Sequence, residues 1–149
     1  MIEITQANKN NLQDTISLFE KYRTFYDMPN DFDAARQFIS ERLTKHDSLI
    51  FIAYKKSKAV GFMQIYPSFS SVAMQPVWIL NDLFVDPSVR RSGCATKMLT
   101  HLHKLAIQEN IFSIKLSTAV TNHSAKALYG SLGYQLVEDF DNYSKSVFK

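Results

Sequence analysis

The chain has 149 residues, 46% hydrophobic and 21% charged, with a formal net charge of +3. That is the composition of one globular domain with a sizeable core, and it excludes a disordered or membrane-embedded chain. Acids and bases are intermixed, so no clustered basic face is offered to nucleic acid, and a single cysteine, Cys94, excludes an internal disulfide or a multi-cysteine metal site.

The four histidines form no recognisable ligand set, so no metal is expected. "MIEITQANKN" lacks the apolar run of a signal peptide, and no segment approaches the ~18 apolar residues of a membrane span. A soluble cytoplasmic protein is expected. With no repeats and no Pro/Gly/Ser linker, residues 1–149 are expected to form a single domain.

In chain order, "IEIT" is a short first strand. Asn10 or Asn11 can cap a helix carrying Leu12, Ile16, Phe19 and Tyr22 or Arg23 near helical spacing. "DMPND" breaks it, because the residue before Pro29 is pushed out of the α region. Asp31 or Asp33 can cap a second helix with Phe32, Ala35, Phe38, Ile39 and Leu43 on its apolar face. Leu49–Tyr54 and Val60–Tyr66 read as an antiparallel hairpin. "PVWILNDLFV" is a third long strand, interrupted by Asn81-Asp82; polar residues of low β propensity there predict a bulge or a functional face.

After "PSVRRSGCAT" comes a helix of about four turns, with Met98, Leu99, Leu102, Leu105, Ala106 and Ile107 at i, i+3, i+4 spacing. "IFSIKLSTAV" is the next strand. "AKALYGSL" is a short helix ended by Gly133, buried through Ala125, Leu128 and Leu132. "YQLVEDF" and "YSKSVF" can be two final strands. The order β-α-α-β-β-β-α-β-α-β-β is mixed α/β, with a right-handed crossover around the third helix.

The stretch Arg90-Arg91-Ser92-Gly93-Cys94-Ala95 joins a strand to a helix. It is either a polar turn with two solvated arginines or an anion site, in which free N–H groups of a first helical turn converge on phosphate oxygens. It is neither a Walker loop nor a dinucleotide fingerprint. Arg90-x-x-Gly93-x-Ala95 resembles the Q/R-x-x-G-x-G/A signature of the GNAT superfamily of N-acetyltransferases, which binds the pyrophosphate of acetyl-CoA. "LNDLFVDP" resembles the strand before that loop, and "TNHSAKALYGSLGY" resembles the second motif, with a Tyr seven residues after an Asn. "SLGYQL" resembles its ending. Together these cover residues 77 to 136. The stretch is most similar to the polyamine and small-amine branch, such as spermidine/spermine N-acetyltransferase, although Asn81-Asp82 stands where that branch tends to have two acids.

The resemblance implies a single GNAT-like domain with a mixed, mostly antiparallel sheet of about six to seven strands. About four helices flank it, and the sheet is splayed between the fourth and fifth strands. It implies that Leu83, Phe84 and Val85 offer backbone to the pantetheine arm, with the Leu83 or Phe84 N–H polarising the thioester. Arg91, Ser92, Gly93, Cys94, Ala95 and Thr96 would hold the pyrophosphate through backbone amides, with Arg90 beside them. Asn122 and Ser124 would contact the cofactor.

Tyr129 is the expected general acid: its phenol, with a reference pKa of about 10 against about 8.5 for a thiol, can protonate the departing sulfur. Asp82, partnered by Asn81, is the expected base, with His123 a weaker candidate. Cys94 is read as a small filler rather than a nucleophile. The acceptor is expected to meet "TFYDMPND" and the loop "YPSFSSVAMQP". There Phe25, Tyr26, Met28, Phe69 and Met74 give apolar walls and Asp27 or Asp31 meets a cation. The expected activity is direct transfer from acetyl-CoA to a primary amine of an amino acid, polyamine or similar small molecule. A protein N-terminus or lysine as acceptor, and a non-catalytic acyl-CoA sensor, are the alternatives. Val147 and Phe148, apolar near the terminus, are expected to pair the last strands across a homodimer.

Overall fold

The computed structural model describes residues 1–148, as two compact units: residues 1–117 and a second that begins at Thr118. The first unit holds β1 (Ile2–Gln6), α1 (Leu12–Phe25), α2 (Phe32–Lys45), β2 (Leu49–Lys55), β3 (Lys58–Ser70), β4 (Gln75–Val85), α3 (Cys94–Gln108) and β5 (Ile114–Leu116). Its sheet runs β1-β2-β3-β4-β5, antiparallel except for the parallel pair β4–β5, which α3 connects.

Strand alternation sorts the core. Ile50, Ile52, Phe62 and Phe84 pack with Ile16, Leu18, Ala35 and Ile39 of α1 and α2. Phe51, between Ile50 and Ile52, instead meets His101 of α3 with ring centroids 5.3 Å apart. The sheet is therefore covered on both faces, which explains why β2 and β3 read as nearly continuous apolar runs. The β2–β3 hairpin closes on Lys56 and Ser57, both with positive φ, the two-residue turn whose twist suits antiparallel strands.

β4 pairs Gln64 with Asp82 but Ile65 with Leu80, leaving Asn81 as an extra residue. This is the bulge expected from Asn81-Asp82. It has a directional consequence. Without it Asp82 would share the face of Leu80; with it, Asp82 and Phe84 turn to the side of α1 and α2.

Several expectations are corrected. Among the described residues the sheet has five strands rather than six to seven. "YQLVEDF" and "YSKSVF" adopt no strand, and the strand expected across "IFSIKLSTAV" is three residues long. "YPSFSSVAMQP" is not a loop: β3 runs to Ser70 and β4 starts at Gln75, so only residues 71–74 turn, fastened by the Ala73 N–H donating to Ser70 Oγ at 3.2 Å. Asn11 precedes α1 without a side-chain cap, because Asn8 caps the 3-10 turn that leads into it. Ile107 is 76% exposed, off the buried stripe of Met98, Leu99, Leu102 and Ala106.

The second unit holds α4 (His123–Ser131), capped by Asn122, whose Oδ1 accepts from the Ala125 N–H at 3.1 Å. Gly133, at φ +92°, follows the helix end in the left-handed conformation that closes helices. No residue of α4 is fully buried, contrary to the expectation from Ala125, Leu128 and Leu132.

Candidate active site

The turn from β4 to α3 begins at Asp86. Its carboxylate accepts from the Ser88 N–H at 2.9 Å and the Ser88 hydroxyl at 2.7 Å, and takes Lys21 Nζ of α1 at 2.9 Å. The Ser88 hydrogen bonds, then Lys21, hold the Asp86 carboxyl far below the usual carboxylate range. Arg91 and Gly93 both take left-handed backbone, at φ 63° and 82°, and the Ser92 hydroxyl donates to the Val89 carbonyl.

Gly93 is the N-cap of α3 and supplies no side-chain cap, whereas Asp31 and Asn122 cap α2 and α4. The first bond of the helix runs from the Lys97 N–H to the Gly93 carbonyl, so the N–H groups of Cys94, Ala95 and Thr96 have no acceptor within their own helix. A Cβ built on Gly93 would meet nothing within 4 Å, so the backbone there is open to approach. Uncapped donors, the positive helix end and Arg90 and Arg91 beside it form a donor set suited to a diphosphate.

Two members of this stretch have other partners. Arg90 Nε donates to the Val85 carbonyl at 3.1 Å, and its guanidinium lies 5.5 Å from the Phe25 ring centroid. Cys94 is buried with Sγ 3.9 Å from Met98 Sδ, and burial pushes its thiol up, as befits a filler rather than a nucleophile.

The strand ahead of the loop divides by alternation. Phe84 O lies against Gly61 on the β3 side, 2.9 Å from where a Cβ would stand, and the Asp86 N–H bonds the Val60 carbonyl there at 2.8 Å. Leu83 and Val85 therefore turn their backbone groups to the opposite edge. On that edge the parallel ladder with β5 runs only from Trp78 to Leu80. Of the two residues expected to polarise a thioester, Leu83 has the N–H that faces the opened edge.

Asp82, 6% exposed, sits just behind this edge. Its Oδ2 accepts from Gln64 Nε2 at 2.9 Å and its Oδ1 from Asn81 Nδ2 at 3.1 Å. Burial, Asp82 and then Tyr26 drive the Tyr22 phenol well above its ordinary range, and burial followed by Asp82 raises Tyr66. Tyr26, half-exposed, packs edge-on against Tyr22 and Phe25 at 5.1 and 5.2 Å. The result is a buried carboxylate held by two amides and faced by the phenols of Tyr22 and Tyr66.

Of the predicted acceptor residues, Asn81 is hydrogen-bonded to Asp82, and Tyr26 packs on Tyr22, the phenol that faces Asp82. Asp27 follows Tyr26 at a left-handed φ of 59°. Asp31 accepts from the Ala34 N–H at 3.1 Å as the cap of α2, and Phe69 and Met74 are exposed near the hairpin tip. Sequence reasoning missed Gln64, Ser48 and the Lys21–Asp86 pair. Gln64 had a signal: it is the one polar residue in the run "VGFMQIY", as Asn81-Asp82 are in theirs.

In the second unit, Asn122 Oδ1 is committed to the α4 cap and also takes the Ser124 hydroxyl at 3.4 Å. The rings of Tyr129 and Tyr134 meet edge-on at 5.7 Å, and the Tyr134 N–H donates to the Tyr129 carbonyl at 3.0 Å. Burial, then the neighbouring Tyr129, pushes the Tyr134 phenol to about 12. Among the described residues no three His, Cys, Asp or Glu gather to hold a metal ion, and no helix is long and apolar enough to cross a membrane.

Comparison with known proteins bears on the same residues. Residues 12–134 match the Acetyltransferase (GNAT) family. The chain is 36% identical over 146 residues, 98% of each chain, to the uncharacterized N-acetyltransferase YhfO of Bacillus subtilis. It is 26% identical over 150 residues, 98% of this chain and 99% of the relative, to the aminoglycoside N(6')-acetyltransferase type 1 of Acinetobacter haemolyticus. The crystal structure of a probable acetyltransferase superposes with a TM-score of 0.93 at 35% identity, covering 99% of both chains.

Proposed function

The chain belongs to the GNAT acetyltransferases and is an N-acetyltransferase, and from that premise we propose that it moves an acetyl group from acetyl-CoA directly to a primary amine of a small cationic molecule. The observation that carries this reading is Asp82: a buried carboxylate, held by two amides and faced by the phenols of Tyr22 and Tyr66, beside the opened edge of β4. An amino acid, a polyamine or an aminoglycoside fits such a site, and the Acinetobacter relative's name is compatible with the last. Single-domain organisation over residues 1–149, a cytoplasmic setting and a homodimer belong to the same proposal.

When bound, acetyl-CoA supplies an activated thioester. The chain's part begins with holding: the N–H groups of Cys94, Ala95 and Thr96 and the open backbone of Gly93 take the pyrophosphate, with Arg91 adding charge. The outward N–H of Leu83 is a donor for the oxygen on which charge develops. An alkyl amine is only about one part in a thousand neutral at pH 7. Asp82, with acceptor capacity beyond its two amide partners, orients the ammonium and receives its proton directly or through water. In the second unit, Tyr129 carries a phenol whose ordinary range suits it to protonate a departing thiolate.

Incubation with acetyl-CoA and a panel of spermidine, lysine, kanamycin and a lysine-containing peptide, read by thiol release, tests the reading. Turnover on a small amine is expected. Turnover confined to the peptide would replace the acceptor class, and tight CoA binding without turnover on any amine would favour a sensor.

A further inference from the structure

Gln64 is fully buried in the middle of β3, between Met63 and Ile65, where an unpaired carboxamide would be costly. The bulge at Asn81 sets it directly across the strand pair from Asp82. Its two ends are assigned by their partners. The amino end donates to Asp82 Oδ2 at 2.9 Å, and Oε1 accepts from the Ser48 hydroxyl at 2.9 Å, since a hydroxyl can serve either end. A flip of the amide would set two acceptors against each other. Asn81 donates to the other carboxylate oxygen from an exposed position, where water can replace it; no water replaces Gln64.

We propose that Gln64 is a positioning residue for the transfer reaction: backed by Ser48, it holds Asp82 Oδ2 and fixes the direction in which the remaining lone pairs of the carboxylate face. The proposal rests on the reading of Asp82 as the group that receives the amine's proton. The clamp explains why β3 buries a carboxamide among apolar side chains. It also gives the bulge a purpose, since only the shifted register places the two side chains opposite each other on one face. The other groups facing Asp82 are Tyr22 on α1 and Tyr66 on β3, the latter also under the influence of Arg42 and Asp47. Both phenols stay protonated through the acid range, so they do not titrate alongside the carboxylate.

The test follows the side-chain carboxyl carbon of Asp82 by NMR against pH in the full chain, with aspartate ¹³C-labelled, for the parent, Gln64→Leu and Gln64→Glu. Loss of one amide donor to the carboxylate is expected to raise the protonation midpoint by about one pH unit in Gln64→Leu. A larger rise is expected in Gln64→Glu, where a second carboxylate faces the first. Gln64→Glu preserves side-chain shape and carries the test if the leucine variant does not fold. In turnover on the best amine of the panel, the acid limb of the kcat/KM profile moves up in parallel. Equal midpoints in all three proteins overturn the clamp. Shifted midpoints together with undiminished turnover in Asp82→Asn would leave the clamp standing and remove Asp82 as the base, so the two failures are distinguishable.

Discussion

Lys21 Nζ lies 2.9 Å from Asp86 Oδ2, tying α1 to the residue where β4 turns toward α3. The same carboxylate caps the 3-10 turn at Pro87–Val89 through Ser88. One side chain thus fixes the direction from which the chain enters the Gly93 turn.

Removing it should loosen that turn. Asp86→Ala is expected to cost about 1–2 kcal/mol, combining a lost cap with a half-exposed ion pair, and to lower Tm by about 3–6 °C in a calorimetric scan. The pH dependence follows from the sign of the shift. The folded state holds this carboxyl below its ordinary value. Its contribution is therefore complete above the unfolded pKa of about 4 and is lost as pH falls below that toward the folded value. The stability difference between parent and Asp86→Ala should narrow in acid; a difference that widens there would contradict the assignment.

Gly93 and Arg90 separate backbone holding from side-chain charge. A β-branched residue at φ +82° is strained, and its side chain would enter the open space above the helix end. Arg90 is already engaged with Val85 and Phe25. Gly93→Val should raise the Kd for CoA by about tenfold or more and Arg90→Ala by about threefold or less, on the scale of ~1.4 kcal/mol per tenfold. Titration calorimetry with CoA measures both, and the reverse ranking would move the phosphate contact to the arginine.

Asp82→Asn keeps the shape of the side chain and removes its capacity to accept a proton. A loss of about 10²-fold in kcat/KM for the amine is expected, with CoA affinity within about twofold of the parent. Parental turnover would exclude Asp82 from proton transfer.

For Tyr129→Phe a drop in kcat of about 10²-fold is expected, with little change in CoA binding. Thiol-release assays at saturating acetyl-CoA read it directly. Unaltered kcat would assign the sulfur's proton to another donor.

Gly61 is a packing prediction. A Cβ there would lie 2.9 Å from Phe84 O and 3.4 Å from Met98 Sδ, and the first of these is backbone that cannot swing aside. Gly61→Ala should cost about 1–3 kcal/mol. Because Phe84 adjoins Leu83, this variant should also weaken CoA binding.

The strands and helices that carry a strong period were legible in the sequence: α2 with its Asp31 cap, the β2–β3 hairpin, the apolar stripe of α3 and the strand-turn-helix around Gly93. So was the disturbance at Asn81-Asp82. Local chemistry sets these features, because a side chain's own preference and its neighbours within one turn decide them. Ile107 shows the limit of that reading: it fits the helical spacing of α3, yet points to solvent, since spacing does not fix how wide a face the sheet covers. The final segments failed for a related reason. "YQLVEDF" and "YSKSVF" have strand-like composition, but β propensity expresses itself only where a partner edge is offered.

By itself, then, the sequence determined an α/β chain with an uncapped glycine turn ahead of a helix, and the motifs that place it among the acetyltransferases. Which way Asp82 faces, which residue stands across from it, and that Leu83 rather than Phe84 turns its N–H to the opened edge were decided only by the tertiary structure. The physical reason is register. A single extra residue at Asn81 reverses the side on which every later β4 side chain falls, and that reversal exists only once β3 and β4 are paired.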